Sequence, residues 1–340
     1  MSATGMQRTP GSPSPGAVPA APRRALRLGA FASPETMTLL VLLAVLVVLS
    51  IATTDNFLDV DNLRAIVRAA ALTAIVAIGL TFVTLSGNFF SLSLGQTAAA
   101  CGVVFAMMLR DGWPAGLALL VVLALAVAIG CAQGVVVAAG ANPIIVTLGA
   151  GGALAGLTGI IAGGKGIATG STSLDWLGDS RPLGFPIPTY AFVVIAILAV
   201  VFLARHRAGR ALMLVGSNRL TAAATGLSFR RATVLAFSIS AACCAVVAVL
   251  TVTQFNRADG GQFDDLTFDA LAAVLVGGAA LQGGEGSPAG TALGALFIAT
   301  LANFMVLHDY SYGVRLTIQG VVVVLAVTAF HIMRQRRNAR

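Results

Sequence analysis

The chain has 340 residues, of which 57% are Ala, Val, Ile, Leu, Met, Phe, Trp, Tyr or Cys and only 10% are charged. Its mean hydropathy is +0.92, and against the roughly 25% charge of a soluble domain too little polar surface is present to solvate a compact body of this size. The net charge of +8 sits in short basic clusters between apolar runs, not in a patch interleaved with aromatics, which fits anionic headgroups and excludes nucleic acid as a partner.

In chain order, Met1 to Pro34 holds 6 of the 12 prolines among Ser, Gly and Ala. Such a segment cannot bury enough apolar area to offset its ordering entropy and is expected to be a disordered tail, residues 1–34. More than thirty residues precede the first apolar run, so it is not read as a signal peptide. A membrane span needs about 20 apolar residues without a central charge. Thr36 to Thr54 supplies one; Ala69 to Leu109, 41 residues, supplies two, broken at Ser86-Gly87-Asn88; Gly112 to Gly164, 53 residues, supplies two more, broken at Gly140-Ala141-Asn142-Pro143. Pro188 to Ala204, Ala232 to Gln254, Ala270 to Gln282, Pro288 to Leu307 and Leu316 to Met333 follow. The expected fold is all-α and polytopic, with about ten transmembrane helices in a membrane-spanning body over residues 35–333 and a basic tail at 334–340. The runs are continuous, not alternating, which excludes a barrel.

With both ends inside, the inner loops hold 14 basic residues and two acids, and the outer loops 7 basic residues and 11 acids. The excess of Arg on one side places both termini in the cytoplasm. A missed or invented helix would scramble that sorting.

Chemistry is sparse. Asp269, Glu285, Arg64 and Arg68 stand at span ends, where wet headgroups receive them, so the buried acids of an ion-driven carrier are missing and energy must come from outside the chain. No His pairs with a ligand at metal spacing, no Ser sits in a GxSxG elbow and no GxxxxGK[ST] loop is present. Catalytic, metal and cofactor sites are therefore not expected, and Cys101, Cys131, Cys243 and Cys244 read as buried thiols. Three segments go beyond helix packing: the polar interruption Ser86 to Gln96, the 27-residue inner loop from Arg205 to Arg231, and Ala280 to Pro288. Irregular backbone at membrane depth needs protein or a water-filled cavity around it, which makes Asn88, Phe89, Phe90, Ser91 and Ser93 candidates for a solute pathway, with Asn303 and Phe304 in the ninth span. Amides and hydroxyls can exchange hydrogen bonds with a polar solute while aromatic faces cover its apolar side. Asn218 to Gly226 suits one or two helical turns ending at Gly226. A short docking helix and an unstructured, lipid-facing basic loop both fit it.

Val215-Gly216-Ser217-Asn218, with Arg219, Ala222-Ala223, Thr225-Gly226 and Arg230, resembles the cytoplasmic coupling loop of the ribose-type sugar ABC importer permeases. Asn142-Pro143-Ile144-Ile145-Val146-Thr147-Leu148-Gly149 is similar to that family's P-x-F-I-V-T-L-G, and Gly163 to Ile167 to its G-G-x-P-I. Phe268 to Gly278 resembles its D-A-I-A-A-V-V-L-G-G, and Gly283 to Ser287 with Gly290-Thr291 its G-G-x-G-S-x-x-G-T. Order and spacing are shared over about residues 36–333. Where the family often has G-G-I-D-L-S-V-G, this chain has Ser91 at the acidic position.

The resemblance implies a non-catalytic permease subunit in a bacterial cell membrane, working with cytoplasmic ATP-binding-cassette ATPases, a second permease, identical or not, and an extracytoplasmic solute-binding protein. It implies a monosaccharide or related polyol as solute, and ATPase coupling through Gly216, Ser217, Asn218, Arg219, Ala222, Ala223, Thr225 and Gly226. Two alternatives stay open: a permease of the branched-chain amino acid type, and a membrane scaffold or stand-alone carrier without ATPases. Ser91 implies either altered solute choice or a heterodimeric core whose partner keeps the Asp.

Overall fold

The computed structural model describes residues 34–338 except 55, 171–173 and 280–282. The expectations for the Pro-rich tail and for Ala280 to Gln282 lie outside the described residues. The chain is all-α: α1 (Pro34–Thr53), α2 (Val60–Leu85), α3 (Leu94–Arg110), α4 (Ala115–Ala138), α5 (Pro143–Ala162), α6 (Asp175–Asp179), α7 (Ile187–Arg205), α8 (Arg207–Ser217), α9 (Arg219–Ala224), α10 (Phe229–Phe255), α11 (Leu266–Val276), α12 (Pro288–Leu307) and α13 (Tyr312–Asn338). Two dipeptides, β1 (Ile167–Ala168) and β2 (Arg257–Ala258), pair antiparallel.

Among the described residues each expected span falls on an apolar helix, in keeping with about ten transmembrane helices, and eight of these are long and apolar enough to cross a bilayer. The other two are shorter. Helix α3 has 17 residues and α11 has 11, about 25 Å and 16 Å at 1.5 Å per residue, against a hydrocarbon core of about 30 Å. Helix α11 also begins earlier and ends earlier than Ala270 to Gln282. Its outer end is wetted by Asp265 and Asp269, which Tyr312 and Gln319 of α13 hydrogen-bond. Its inner end stops at Gly277-Gly278, where Gly278 takes φ +82°. Residues 86–93 lead into α3 and residues 277–287 lead out of α11, so both short helices adjoin irregular chain.

Helix starts follow local chemistry. Asn142 Oδ1 accepts from Ile144 N at 2.9 Å ahead of Pro143, and Ser287 Oγ accepts from Gly290 N at 2.9 Å ahead of Pro288. Inside the apolar helices hydroxyls turn back on the preceding turn: Ser50 on Leu46 O, Thr81 on Ala77 O and Thr300 on Leu296 O, each at 2.8 Å. Each of these three hydroxyls is thereby satisfied within its own helix.

Helices α2 and α10 form the centre, packed on each other and on α3, α4, α7, α11 and α12. From Ala70 to Leu85, α2 is buried almost throughout. Gly130 and Gly134 of α4 lie against the α10 backbone, where a Cβ would come within 2.5 Å of Phe237 O and 2.7 Å of Val234 Cα. This is the close approach that small residues at i and i+4 permit. A second cluster joins α1, α11, α12 and α13 through Leu39, Leu46, Val276, Phe297 and Ala326. Cys101, Cys243 and Cys244 are buried as expected; Cys131 is only half-buried, its Sγ 3.0 Å from Ser238 Oγ.

The two ends of the bundle are chemically distinct. At one, β1 pairs with β2, Arg64 Nε donates to Gly184 O at 3.1 Å and Tyr312 bonds Asp265. At the other lie α8, α9 and the start of α10, with Arg205, Arg207, Arg210, Arg219, Arg230 and Arg231. The second end is the cytoplasmic one by its excess of Arg.

Candidate functional site

Two features at the inner end carry the candidate side chains, and they touch. The first is the irregular segment after α2. Gly87, at φ +76°, turns the chain back toward the membrane interior, and polar side chains from four helices then hold it. Asn88 Nδ2 donates to Ser86 Oγ at 2.8 Å and to Thr233 Oγ1 of α10 at 3.1 Å. Leu92 N donates to Thr147 Oγ1 of α5 at 3.0 Å, Ser93 Oγ donates to Gln133 Oε1 of α4 at 3.1 Å, and Gly95 N donates to Thr267 Oγ1 of α11 at 2.8 Å. Ser91 Oγ lies 3.3 Å from Ser93 Oγ.

Asn88, Ser91 and Ser93 are at most 2% exposed, yet the cradle keeps unused capacity. Asn88 Oδ1 and Gln133 Nε2 are buried without a hydrogen-bond partner in the protein, and a buried polar atom left so costs about 1–3 kcal/mol. Phe90 packs against the main core. Phe89 is exposed and lines an inner-end cavity of about 320 Å³ with Asn88, Asn142, Arg219 and Phe229.

Asn303 and Phe304 do not join this group. Asn303 and Asn62 exchange amide hydrogen bonds at 2.7 and 3.3 Å, tying α12 to α2 near the outer end, and the Phe304 ring lies 4.3 Å from the His308 ring. Gln133, Thr147, Thr233 and Thr267 escaped the sequence reading. Their only signal is a polar residue in a charge-free run, and an amide or hydroxyl there bridges helices as readily as it faces a solute.

The second feature is the inner loop, which is two helices. The amphipathic α8 is capped by His206, whose Nδ1 accepts from Ala208 N at 3.2 Å, and it buries Leu212 and Val215 while Arg207 and Arg210 face out. Asn218 caps α9, accepting from Thr221 N at 3.0 Å. At its other end Gly226 N bonds Ala223 O and Leu227 N bonds Ala222 O, both at 3.0 Å, with Gly226 at φ +77°. This left-handed closure is the ending expected at Gly226. Ala222 is the buried anchor, packed with Val215 and Ala232. Ser217, Ala223 and Thr225 are exposed, and Leu220 is 86% exposed at the tip. Gly216 is the hinge between the features: a Cβ there would lie 1.9 Å from Leu85 O.

Comparison with known proteins identifies a family. The family model described as branched-chain amino acid transport system / permease component matches residues 62–327. The chain is 31% identical over 293 residues to the ribose import permease protein RbsC of Escherichia coli (strain K12), covering 84% of this chain and 91% of that one. It is 32% identical over 303 residues to the probable ABC transporter permease protein YphD of the same strain, covering 88% and 90%. It is 32% identical over 298 residues to the autoinducer 2 import system permease protein LsrD of Enterobacter sp. (strain 638), covering 85% and 90%. No solved structure matches. With apolar spans, a re-entrant polar segment and a capped inner helix in one bundle, the chain belongs to the ribose-type family of ABC importer permeases, multi-pass proteins of the bacterial inner membrane.

Proposed function

We propose that this chain is the passive translocation subunit for a monosaccharide or related polyol, driven by cytoplasmic ATPases that dock on α9. The observation that carries the reading is the continuity of α9 with the polar segment after α2: a capped helix displaying Leu220 to the cytoplasm begins two residues after Ser217, beside the Leu85–Gly87 turn. The relatives' names, ribose import and autoinducer 2 import, support a small polyhydroxylated solute. Asn88, Ser91, Ser93 and Gln133 exchange hydrogen bonds with its hydroxyls as the segment moves, and Phe89 covers an apolar face of it. A second permease closes the pathway against α5, where Gly149, Gly152, Gly156 and Gly159 face open space. An extracytoplasmic solute-binding protein delivers the solute to the opposite end.

Deletion of Asn218 to Gly226 tests the coupling. ATP hydrolysis and uptake are expected to separate, with hydrolysis no longer accompanied by solute entry. Intact coupling after the deletion would refute the role of α9. The family model's description favours a second reading, a branched-chain amino acid as solute. Competition of labelled ribose uptake by excess leucine or excess pentose separates the two.

A further inference from the structure

Docking on α9 does not require what stands at its root. Three chain segments meet there backbone to backbone. The last turn of α8 presents Gly216, whose absent Cβ would lie 1.9 Å from Leu85 O and 2.9 Å from the nitrogens of Gly87 and Gly284. From the loop after α11, Gly283 and Gly284 press on Gly87 and Ser217, where a Cβ would fall 2.5 Å from Gly87 Cα and 2.6 Å from Ser217 Cα. Gly284 N also donates to Leu85 O at 3.3 Å. Two of these segments are the breaks in the bundle: 86–93 runs into α3, and 283–287 runs to Ser287, the cap of α12.

Arg219, the first residue of α9, adds a tie of a different kind. Its Nη2 donates to Gly87 O at 2.8 Å, and its guanidinium lies 4.0 Å from the centroid of the Phe229 ring in the first turn of α10. Contact between backbones leaves no side-chain rotamer to absorb a displacement, and close-packed protein transmits one with little loss. A charge-assisted hydrogen bond to a carbonyl adds direction to the link.

We infer that Gly216 and Arg219 form a joint that makes both broken spans follow α9, with Arg219 as the positioning residue that carries the re-entrant segment. Movement of α9 displaces Gly87, and through it Asn88, Ser91 and Ser93, while the same turn of α8 displaces the loop that leads to α12. The stroke reaches the polar cradle through one turn of chain rather than through sliding of whole helices. This inference rests on the reading of α9 as the ATPase dock.

The test uses the complete complex of permease, ATPases and binding protein, with Phe89→Cys as reporter, because Phe89 is 53% exposed and two residues from Gly87. Maleimide labelling of that position is followed without nucleotide and with a non-hydrolysable ATP analogue, against a parent carrying only the native cysteines. With Arg219 present the labelling rate is expected to differ about fivefold or more between the two conditions, the scale of one charge-assisted hydrogen bond. With Arg219→Ala the difference collapses below about twofold while the ATPases still copurify, and Arg219→Lys, which keeps a cationic donor, restores part of it. An equal response in the Arg219→Ala complex, or no response with Arg219 in place, overturns the inference. Loss of the ATPases on Arg219→Ala also overturns it, making Arg219 a docking residue and leaving the proposed function standing. Failure of the unsubstituted chain to bind any ATPase overturns the proposed function itself.

Discussion

Gly216→Ala is the substitution whose cost the structure states most directly. Its Cβ would stand 1.9 Å from Leu85 O, whereas real Cβ atoms essentially never come closer than 3.0 Å to such a neighbour, so the α8 turn and the end of α2 must part by about 1.1 Å. Neither can yield through a side chain, because every atom met is backbone: Leu85 O, Gly284 N and Gly87 N. Overpacking of this kind costs about 1–3 kcal/mol. Parting the segments also lengthens the 3.3 Å bond from Gly284 N to Leu85 O, which adds about 1 kcal/mol. The expected loss is about 2–4 kcal/mol, or a fall in melting temperature of roughly 3–6 °C for the detergent-purified protein. Gly320→Ala is the control: its Cβ meets nothing within 4 Å inside α13, so there the gain in helix propensity of about 0.5–1 kcal/mol dominates. Equal melting of the Gly216→Ala variant and the parent, or a matching fall for Gly320→Ala, would refute the reasoning.

Asn303→Leu should destabilise the protein by about 0.5–1.5 kcal/mol, since Asn62 loses its half-buried amide partner, and should leave the order of preferred sugars unchanged; a reordered uptake profile would return Asn303 to the pathway. Gln133→Leu removes the acceptor of the Ser93 hydroxyl and is expected to lower ribose uptake about fivefold or more at unchanged ATPase copurification, which uptake assays against expression-matched parent will show. Gly156→Leu places a large side chain on the open face of α5 and should shift the purified permease toward the monomer by light scattering. Leu220→Asp puts a charge on a side chain that is 86% exposed, so melting should stay within about 0.5 kcal/mol of the parent while the copurified ATPase falls.

Much of this architecture is legible in the sequence because lipid permits few solutions. Charge-free runs locate the spans, and the two punctuated breaks, Ser86-Gly87-Asn88 and Gly140 to Pro143, fall where the helices stop. The same rule explains where helix ends depart from the charge-free runs. Helix α2 begins at Val60, upstream of Arg64 and Arg68, because a helix continues past the hydrocarbon boundary where a charge-free criterion ends it. Helix α11 is displaced toward the outer end because acids at its start find Tyr312 and Gln319 on a helix some fifty residues away.

The candidate site divides in the same manner. Asn218 and Gly226 announce α9 through local capping chemistry, so its ends could be read. Helix α8 is hidden beside basic residues, since its pattern of Leu212 and Val215 among Arg207 and Arg210 is short and reads equally as a basic loop. Asn303 looks like Asn88 in sequence, an amide amid apolar residues, and only its pairing with Asn62 across 241 positions distinguishes a helix bridge from a cradle. The joint at Gly216 depends on three glycine segments converging in space, which no local pattern reveals.

Reconstitution in proteoliposomes tests the central claim most directly: labelled ribose, then a panel of pentoses and hexoses, is offered to vesicles holding the chain alone or the chain with its ATPases, binding protein and internal ATP. Accumulation above the external concentration is predicted only in the complete, ATP-loaded vesicles. Accumulation by the chain alone, or by the complete vesicles without ATP, would contradict a passive gate moved by partner ATPases.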